Sequence, residues 1–121
     1  MRHLALALLL LALPAQAQRA QTLDGVYAGF RTHECRAGGR LSRDRVTMQV
    51  AAGRATLPAM LGDPDLVGEV NAQGAVTLPG FGTFLAGTGQ ITGNRFEGRQ
   101  ANRPNSCSMS YDLRREEGRR R

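Results

Sequence analysis

Cys35, Cys107 and His33 have the widest chemical range in this chain, and their surroundings narrow it. The two cysteines are the only ones present, 72 residues apart. Two cysteines in an exported chain read as one disulfide. Once bonded, neither sulfur is a nucleophile. His33 is the one histidine beyond an apolar amino-terminal leader. Ser-His-Asp chemistry would have to be built on it, yet its neighbour Glu34 would point to the opposite face of an extended strand. Zinc needs several His, Cys or carboxylate ligands, and one histidine beside two paired cysteines does not supply them. The expectation is a disulfide joining Cys35 and Cys107, a loop histidine beside it, no catalytic residue and no metal.

The other candidates read as architecture. Asp63 and Asp65 flank Pro64 and suit a capped turn, since the twelve-residue acidic pattern of an EF-hand is missing. Glu69 and Glu97 make a carboxylate pair only if folding brings them together. Gly80, Gly82, Gly87 and Gly89 lack a following Gly-Lys-Ser/Thr step, so they are not a phosphate-binding loop. The aromatics Tyr27, Phe30, Phe81, Phe84, Phe96 and Tyr111 read first as core. If the fold encloses a small ligand, Phe30, Met48, Phe84, Phe96, Met109 and Tyr111 are the candidate lining. No cofactor is indicated.

The elements that must position these residues follow a leader. Met1 to His3 is a basic start, Leu4 to Leu13 an unbroken Leu/Ala run, and Ala15-Gln16-Ala17 a small-x-small cleavage pattern. The run is too short for a bilayer span, which takes about 20 residues. Residues 1–17 therefore read as a signal peptide, 18–118 as a single domain and 119–121 as a basic tail. The destination is the periplasm or the exterior. The formal charge of +6 rests entirely on arginine. Arg119 to Arg121 hold three of those charges, so the folded body is close to balanced. That argues against nucleic-acid binding, which concentrates charge and aromatics on one folded face. It leaves weak contact between the tail and an anionic envelope surface.

Large apolar residues are sparse, there is no Trp, and 15 Gly with 5 Pro cut the chain into short pieces. Val26, Ala28 and Phe30 alternate in a first strand, with Tyr27 on its other face. Cys35 to Asp44 reads as a loop. Val46, Met48 and Val50 alternate from Arg45 to Ala51, and Arg54 to Leu57 returns. Pro58 to Pro64 is a connection with room for one helical turn. Leu66 to Asn71 and Ala75 to Leu78 flank a turn, and Thr83 to Thr92 is a strand broken by glycine. Gly93-Asn94 is a hairpin signal leading into Arg95 to Gln100. Cys107, Met109, Tyr111 and Leu113 alternate with polar residues in the most regular strand. About eight strands in hairpin succession predict an all-β fold, a small antiparallel up-and-down β-barrel with one disulfide; a β-sandwich is the alternative. A thin core of this kind depends on its bridge, worth about 4 kcal/mol from chain entropy.

The leader, the opening Asp24-Gly25-Val26-Tyr27-Ala28-Gly29, the glycine-punctuated strands and the closing Cys-x-Met-x-Tyr-x-Leu strand resemble small exported bacterial β-barrel proteins. They are loosely similar to the lipocalin-like (calycin) group, which includes small periplasmic protease inhibitors. Where lipocalins carry Gly-x-Trp, this chain has Gly25-Val26-Tyr27. The resemblance implies a closed barrel and a binding role, and no binding residue is carried over from it. The functional expectation is a monomeric, non-catalytic binding protein taking a small apolar ligand or a protein partner. The loops Thr32 to Asp44 and Pro58 to Asp65 would serve a protein partner. A structural role at the cell envelope through the arginine tail is the alternative. An enzyme, built on His33 and Glu34, ranks last.

Overall fold

The computed structural model describes residues 23–36, 41–59, 62–102 and 106–117. The leader, the tail Arg119 to Arg121 and the domain limits set by them lie outside the described residues. Eight antiparallel strands follow one another: β1 (Gly25–Cys35), β2 (Leu41–Ala51), β3 (Arg54–Leu57), β4 (Leu66–Glu69), β5 (Ala75–Leu78), β6 (Gly87–Thr92), β7 (Arg95–Ala101) and β8 (Cys107–Arg115). Their order in the sheet is β4-β3-β2-β1-β8-β7-β6-β5. The first and last strands are therefore neighbours, as an up-and-down barrel requires. The barrel is closed except along the seam between β4 and β5.

At that seam a ladder gives way to a close passage. Val70 bridges Val76, and the Glu69 amide donates to Thr77 Oγ1 at 3.1 Å. Gly68 allows the approach, because a Cβ there would run into the Thr77 carbonyl oxygen. Beyond that bridge and the Asn71 amide donating to the Ala75 carbonyl at 3.0 Å, no ladder joins β4 to β5 among the described residues, and neither is left as a fully open edge.

Alternation fixes what faces inward. Cross-strand partners share a face, and the pairs Tyr27↔Met48, Ala55↔Val50, Ile91↔Phe96 and Phe96↔Leu113 all point into the core. Phe96 is fully buried with its ring over Gly89 and Gly98. The barrel is thereby filled by a large side chain in the space that small neighbours leave open.

Three strands depart from the sequence reading, and one of them is β6, which begins at Gly87 rather than Thr83 because a turn at residues 82–83 brings Phe84 back to bridge Phe81. β1 turns Tyr27 and Arg31 inward and leaves Val26, Ala28 and Phe30 half-buried. β2 begins at Leu41 rather than Arg45, so Cys35 and Leu41 to Asp44, half of the expected Cys35–Asp44 loop, are strand. Residues 41–45 are all exposed. Their polarity suggested a loop, but pairing with β1 uses backbone groups and does not require apolar side chains.

The two ends of the barrel differ in character. At one end the hairpins turn tightly at Ala52-Gly53, around Asn71 to Gly74, and at Gly93-Asn94. Asn71 Oδ1 accepts from the Gln73 and Ala75 amides, both at 2.9 Å, and braces the middle turn. Longer connections gather at the other end, between β1 and β2, β3 and β4, β5 and β6, and β7 and β8. The disulfide sits at this second end, which we call the mouth.

Candidate ligand-binding site at the barrel mouth

The inward face of β1 carries Tyr27, Gly29, Arg31, His33 and Cys35 in turn, so it changes from apolar to polar as it nears the mouth. Arg31 pairs with Asp44 on one side and Tyr111 on the other. It is 4% exposed. A buried guanidinium needs partners, and the chain supplies them from the β3–β4 connection. Nη1 donates to the Pro58 carbonyl at 2.7 Å. Nη2 donates to Asp44 Oδ2 at 3.0 Å and more weakly to the Ala59 carbonyl at 3.5 Å. Arg31 Nε–H has no hydrogen-bond partner among the described residues. The cation therefore has donor capacity that its own fold does not fill.

A second buried polar group anchors a second connection. Gln100 donates from Nε2 to the carbonyls of Pro79 at 2.9 Å and Leu85 at 3.2 Å. Its Oε1 accepts from the Tyr111 hydroxyl at 2.8 Å. Burial pushes the Tyr111 phenol above its ordinary range, while the positive charge of Arg31 works against that rise. Arg31 thus ties down Pro58 and Ala59, and Gln100 ties down Pro79 and Leu85, where these connections meet the barrel.

Beside the Arg31 anchor lies an open cleft of about 410 Å³, lined by Arg31, His33, Ser42, Arg43, Asp44, Ala59 and Met109. His33 meets the Phe84 ring edge-on, with centroids 5.5 Å apart, and Phe84 stacks on Phe81 at 5.7 Å. One wall of the mouth is therefore aromatic and the cleft floor is cationic. A second open cleft, about 320 Å³, runs along the seam beside Asp63, Asp65, Val67 and Phe81. Both are of a size for small molecules.

Cys35 and Cys107 are bonded, with Cα atoms 4.0 Å apart, as the last pair of the β1–β8 register. The expected disulfide is present. The Cα spacing is just below the expected span of about 4.4–6.8 Å. His33 lies in strand β1 beside the bridge, and its loop placement is corrected. Its Nε2 is 3.5 Å from Cys35 Sγ.

The six candidate lining residues separate. Phe30 is on the outer face, under Arg43 at 4.2 Å and Arg45 at 5.4 Å. Its place in a ligand pocket is corrected: the strand period puts it back to back with the interior. Met48 and Phe96 are fully buried in packed core. Met109, Tyr111 and Phe84 lie at the mouth half of the barrel. Met109 lines the cleft, Tyr111 joins its polar anchors, and Phe84 packs on His33. Glu69 and Glu97 are exposed on β4 and β7, with β5 and β6 between them around the barrel, so they form no pair. The Thr32–Asp44 and Pro58–Asp65 segments both reach the mouth, though much of the first is strand; residues 37–40, 60 and 61 lie outside the described residues.

Arg31, Asp44 and Gln100 were not foreseen as site residues. One signal pointed to Arg31. Cys35 must face its partner, and Cys107 alternates with Met109, Tyr111 and Leu113. Counting back by twos from Cys35 reaches His33, Arg31, Gly29 and Tyr27, which assigns all four to the inner face.

Comparison with known proteins gives no match, whether to protein-family models, curated proteins or solved structures.

Proposed function

We propose that this protein is a non-catalytic binding protein whose ligand is a small molecule with an anionic head, taken at the barrel mouth. The observation that carries this reading is Arg31. Its guanidinium is held almost out of water, and it offers Nη2 to a carboxylate, Asp44, whose side chain is 58% exposed. An incoming carboxylate or sulfonate competes for that donor, and Asp44 swings into solvent at little cost because it is already hydrated. Ser42 borders the same cleft and adds a polar contact, while Met109 and Ala59 receive the apolar part of the ligand. The sequence reading of an apolar ligand becomes an amphipathic one. Export through the leader would place this activity in the periplasm or outside the cell.

The test uses anilinonaphthalene sulfonate as probe, an aromatic body with one anionic group. Its fluorescence should rise on mixing with the protein and fall again on adding medium-chain carboxylates. Arg31→Met should abolish most of the binding, and Asp44→Asn should tighten it by releasing Nη2. Phe30→Ala, altering the outer face, should leave it unchanged. Absent binding, or the same response from Arg31→Met and Asp44→Asn, would reject the reading.

A further inference from the structure

We propose that the mouth holds a second, redox-gated site: when the Cys35–Cys107 disulfide is reduced, the two thiolates and His33 Nε2 bind a soft divalent metal ion of the zinc class. This inference is independent of anion binding at Arg31. It rests on one triangle of donor atoms. The two Sγ atoms and a ring nitrogen of His33 all lie within 4.8 Å of one another, and each residue is half-buried. His33 Nε2 is 3.5 Å from Cys35 Sγ. In a tetrahedral zinc site, metal–sulfur bonds of about 2.3 Å and metal–nitrogen bonds of about 2.0–2.1 Å set ligands roughly 3.5–3.8 Å apart. The His33–Cys35 spacing already suits a chelate. Only the two sulfurs have to part, and cleaving their bond permits that.

The barrel keeps the donors together after that cleavage. His33 and Cys35 are two residues apart on β1, so both face inward. Cys107 lies opposite Cys35 at the end of nine consecutive β1–β8 register pairs. On its other side β1 is paired with β2 from Gly25 to Glu34. These ladders, and not the disulfide, set the backbone positions. Phe84 meets the His33 ring edge-on and limits its rotation. The open mouth gives an ion a path in.

The chemistry balances with an external dithiol as reductant. The dithiol passes two electrons to the bridge and becomes a disulfide, and its two protons go to Cys35 and Cys107. A divalent ion then displaces those two protons and takes neutral His33 as its third ligand. Reoxidation reforms the sulfur–sulfur bond and expels the ion, so occupancy follows redox state.

The experiment uses the full exported chain, reduced with a phosphine under nitrogen, freed of excess reductant and titrated with Co²⁺ and then Zn²⁺. One equivalent of Co²⁺ should give a thiolate-to-cobalt charge-transfer band and the visible bands of tetrahedral cobalt. One equivalent of Zn²⁺ should bleach both. The oxidised protein should show neither. His33→Ala should weaken Zn²⁺ binding at least about tenfold, since even outer-shell partners of a metal are worth that much. The Cys35→Ser, Cys107→Ser double variant should abolish it. Far-UV circular dichroism runs alongside: if reduction unfolds the chain, Zn²⁺ should restore the β-sheet signal. Cobalt spectra without the charge-transfer band, wild-type affinity in His33→Ala, or failure of Zn²⁺ to restore an unfolded reduced chain would each overturn the proposal.

Discussion

Arg31 and Asp44 face each other in register across β1 and β2, 3.0 Å apart, one side chain 5% exposed and the other 58%. That asymmetry separates their contributions. Arg31 holds the Pro58 carbonyl, and replacing it with Met leaves that acceptor without its donor and frees the β3–β4 connection. An orphaned buried polar group costs about 1–3 kcal/mol. Arg31→Met should therefore lower the urea midpoint clearly. Asp44→Asn should cost less than about 1 kcal/mol, because a hydrated carboxylate gains little from its partner. Equal losses in the two variants would show that the ion pair, and not the carbonyl contact, is what Arg31 contributes.

Two buried phenols predict alkaline instability. Burial raises the pKa of Tyr27 and of Tyr111 above the ordinary 10.0, with Arg115 and Arg31 respectively opposing the rise. Above about pH 10 the unfolded chain gives up these protons while the folded chain keeps them. The folded state then binds more protons, and stability falls with rising pH. The contribution is intact below pH 10 and is lost through the interval up to the folded values. Urea midpoints at increasing pH should drop beyond 10, and ultraviolet titration of tyrosinate should show late ionisation of both residues in the folded protein. Tyr111→Phe should reduce the alkaline drop. It should also cost about 1–3 kcal/mol at neutral pH by stranding Gln100 Oε1.

The seam between β4 and β5 gives a backbone prediction. Gly68 lets the strands pass where a Cβ would meet the Thr77 carbonyl oxygen, an atom of the main chain that cannot rotate aside. Gly68→Ala should therefore destabilise by at least about 1–3 kcal/mol, the usual range for forced overpacking. Amide exchange should quicken at Glu69 and Val70, whose amides donate to Thr77 Oγ1 and the Gly53 carbonyl. Normal stability in this variant would mean that the seam is looser than the close passage implies.

Much of this fold was legible in the sequence, for physical reasons specific to each segment. Gly93-Asn94 marked the β6–β7 hairpin because few residue pairs fit so tight a turn. The regular alternation from Cys107 to Leu113 marked β8 because one face is buried and the other wet. The cysteine pair then required β1 and β8 to be neighbours. Reading failed where both faces of a strand carried plausible core residues. In β1, Val26, Ala28 and Phe30 made the more apolar set, and nothing local marked the opposite face, with Tyr27 and Arg31, as the buried one. The structure buries Arg31 because two backbone carbonyls and a carboxylate meet it, partners that lie 13 to 28 residues away in the chain. Local pattern carries no record of them. The candidate site was correspondingly less legible than the fold: Met109, Tyr111 and Phe84 were named, while the polar anchors were not.

Ala52 holds a left-handed backbone conformation, φ 53°, in the β2–β3 turn, where Gly53 follows at φ 80°. Consecutive positive φ values define the hairpin turn that best matches strand twist, and Asn-Gly is its favoured pair. A residue with a Cβ costs about 1–2 kcal/mol in this region, whereas Asn visits it readily through local hydrogen bonding. Ala52→Asn should stabilise the protein by roughly 0.5–1 kcal/mol without touching the mouth. The check is a higher urea midpoint with unchanged probe binding.

The disulfide's effect should be confined largely to the unfolded state. Cys35 and Cys107 close a loop of 72 residues, and restricting that loop when the chain unfolds is worth about 4 kcal/mol on the chain-entropy account. In the folded barrel the bridge joins positions that the β1–β8 ladder already sets opposite each other. Replacing both cysteines by Ala should therefore lower the urea midpoint by up to that amount and leave the far-UV spectrum below the transition unchanged. The dependence of free energy on urea should steepen, because an unlinked chain exposes more surface on unfolding. If the double variant loses its β-sheet signal without denaturant, the ladder is too weak to hold the terminal strands and the poor core depends on the covalent link. If it keeps that signal and unfolds at a lower urea concentration, the strands are held by their backbone pairing, and the sulfurs at the mouth are free to open without dismantling the barrel.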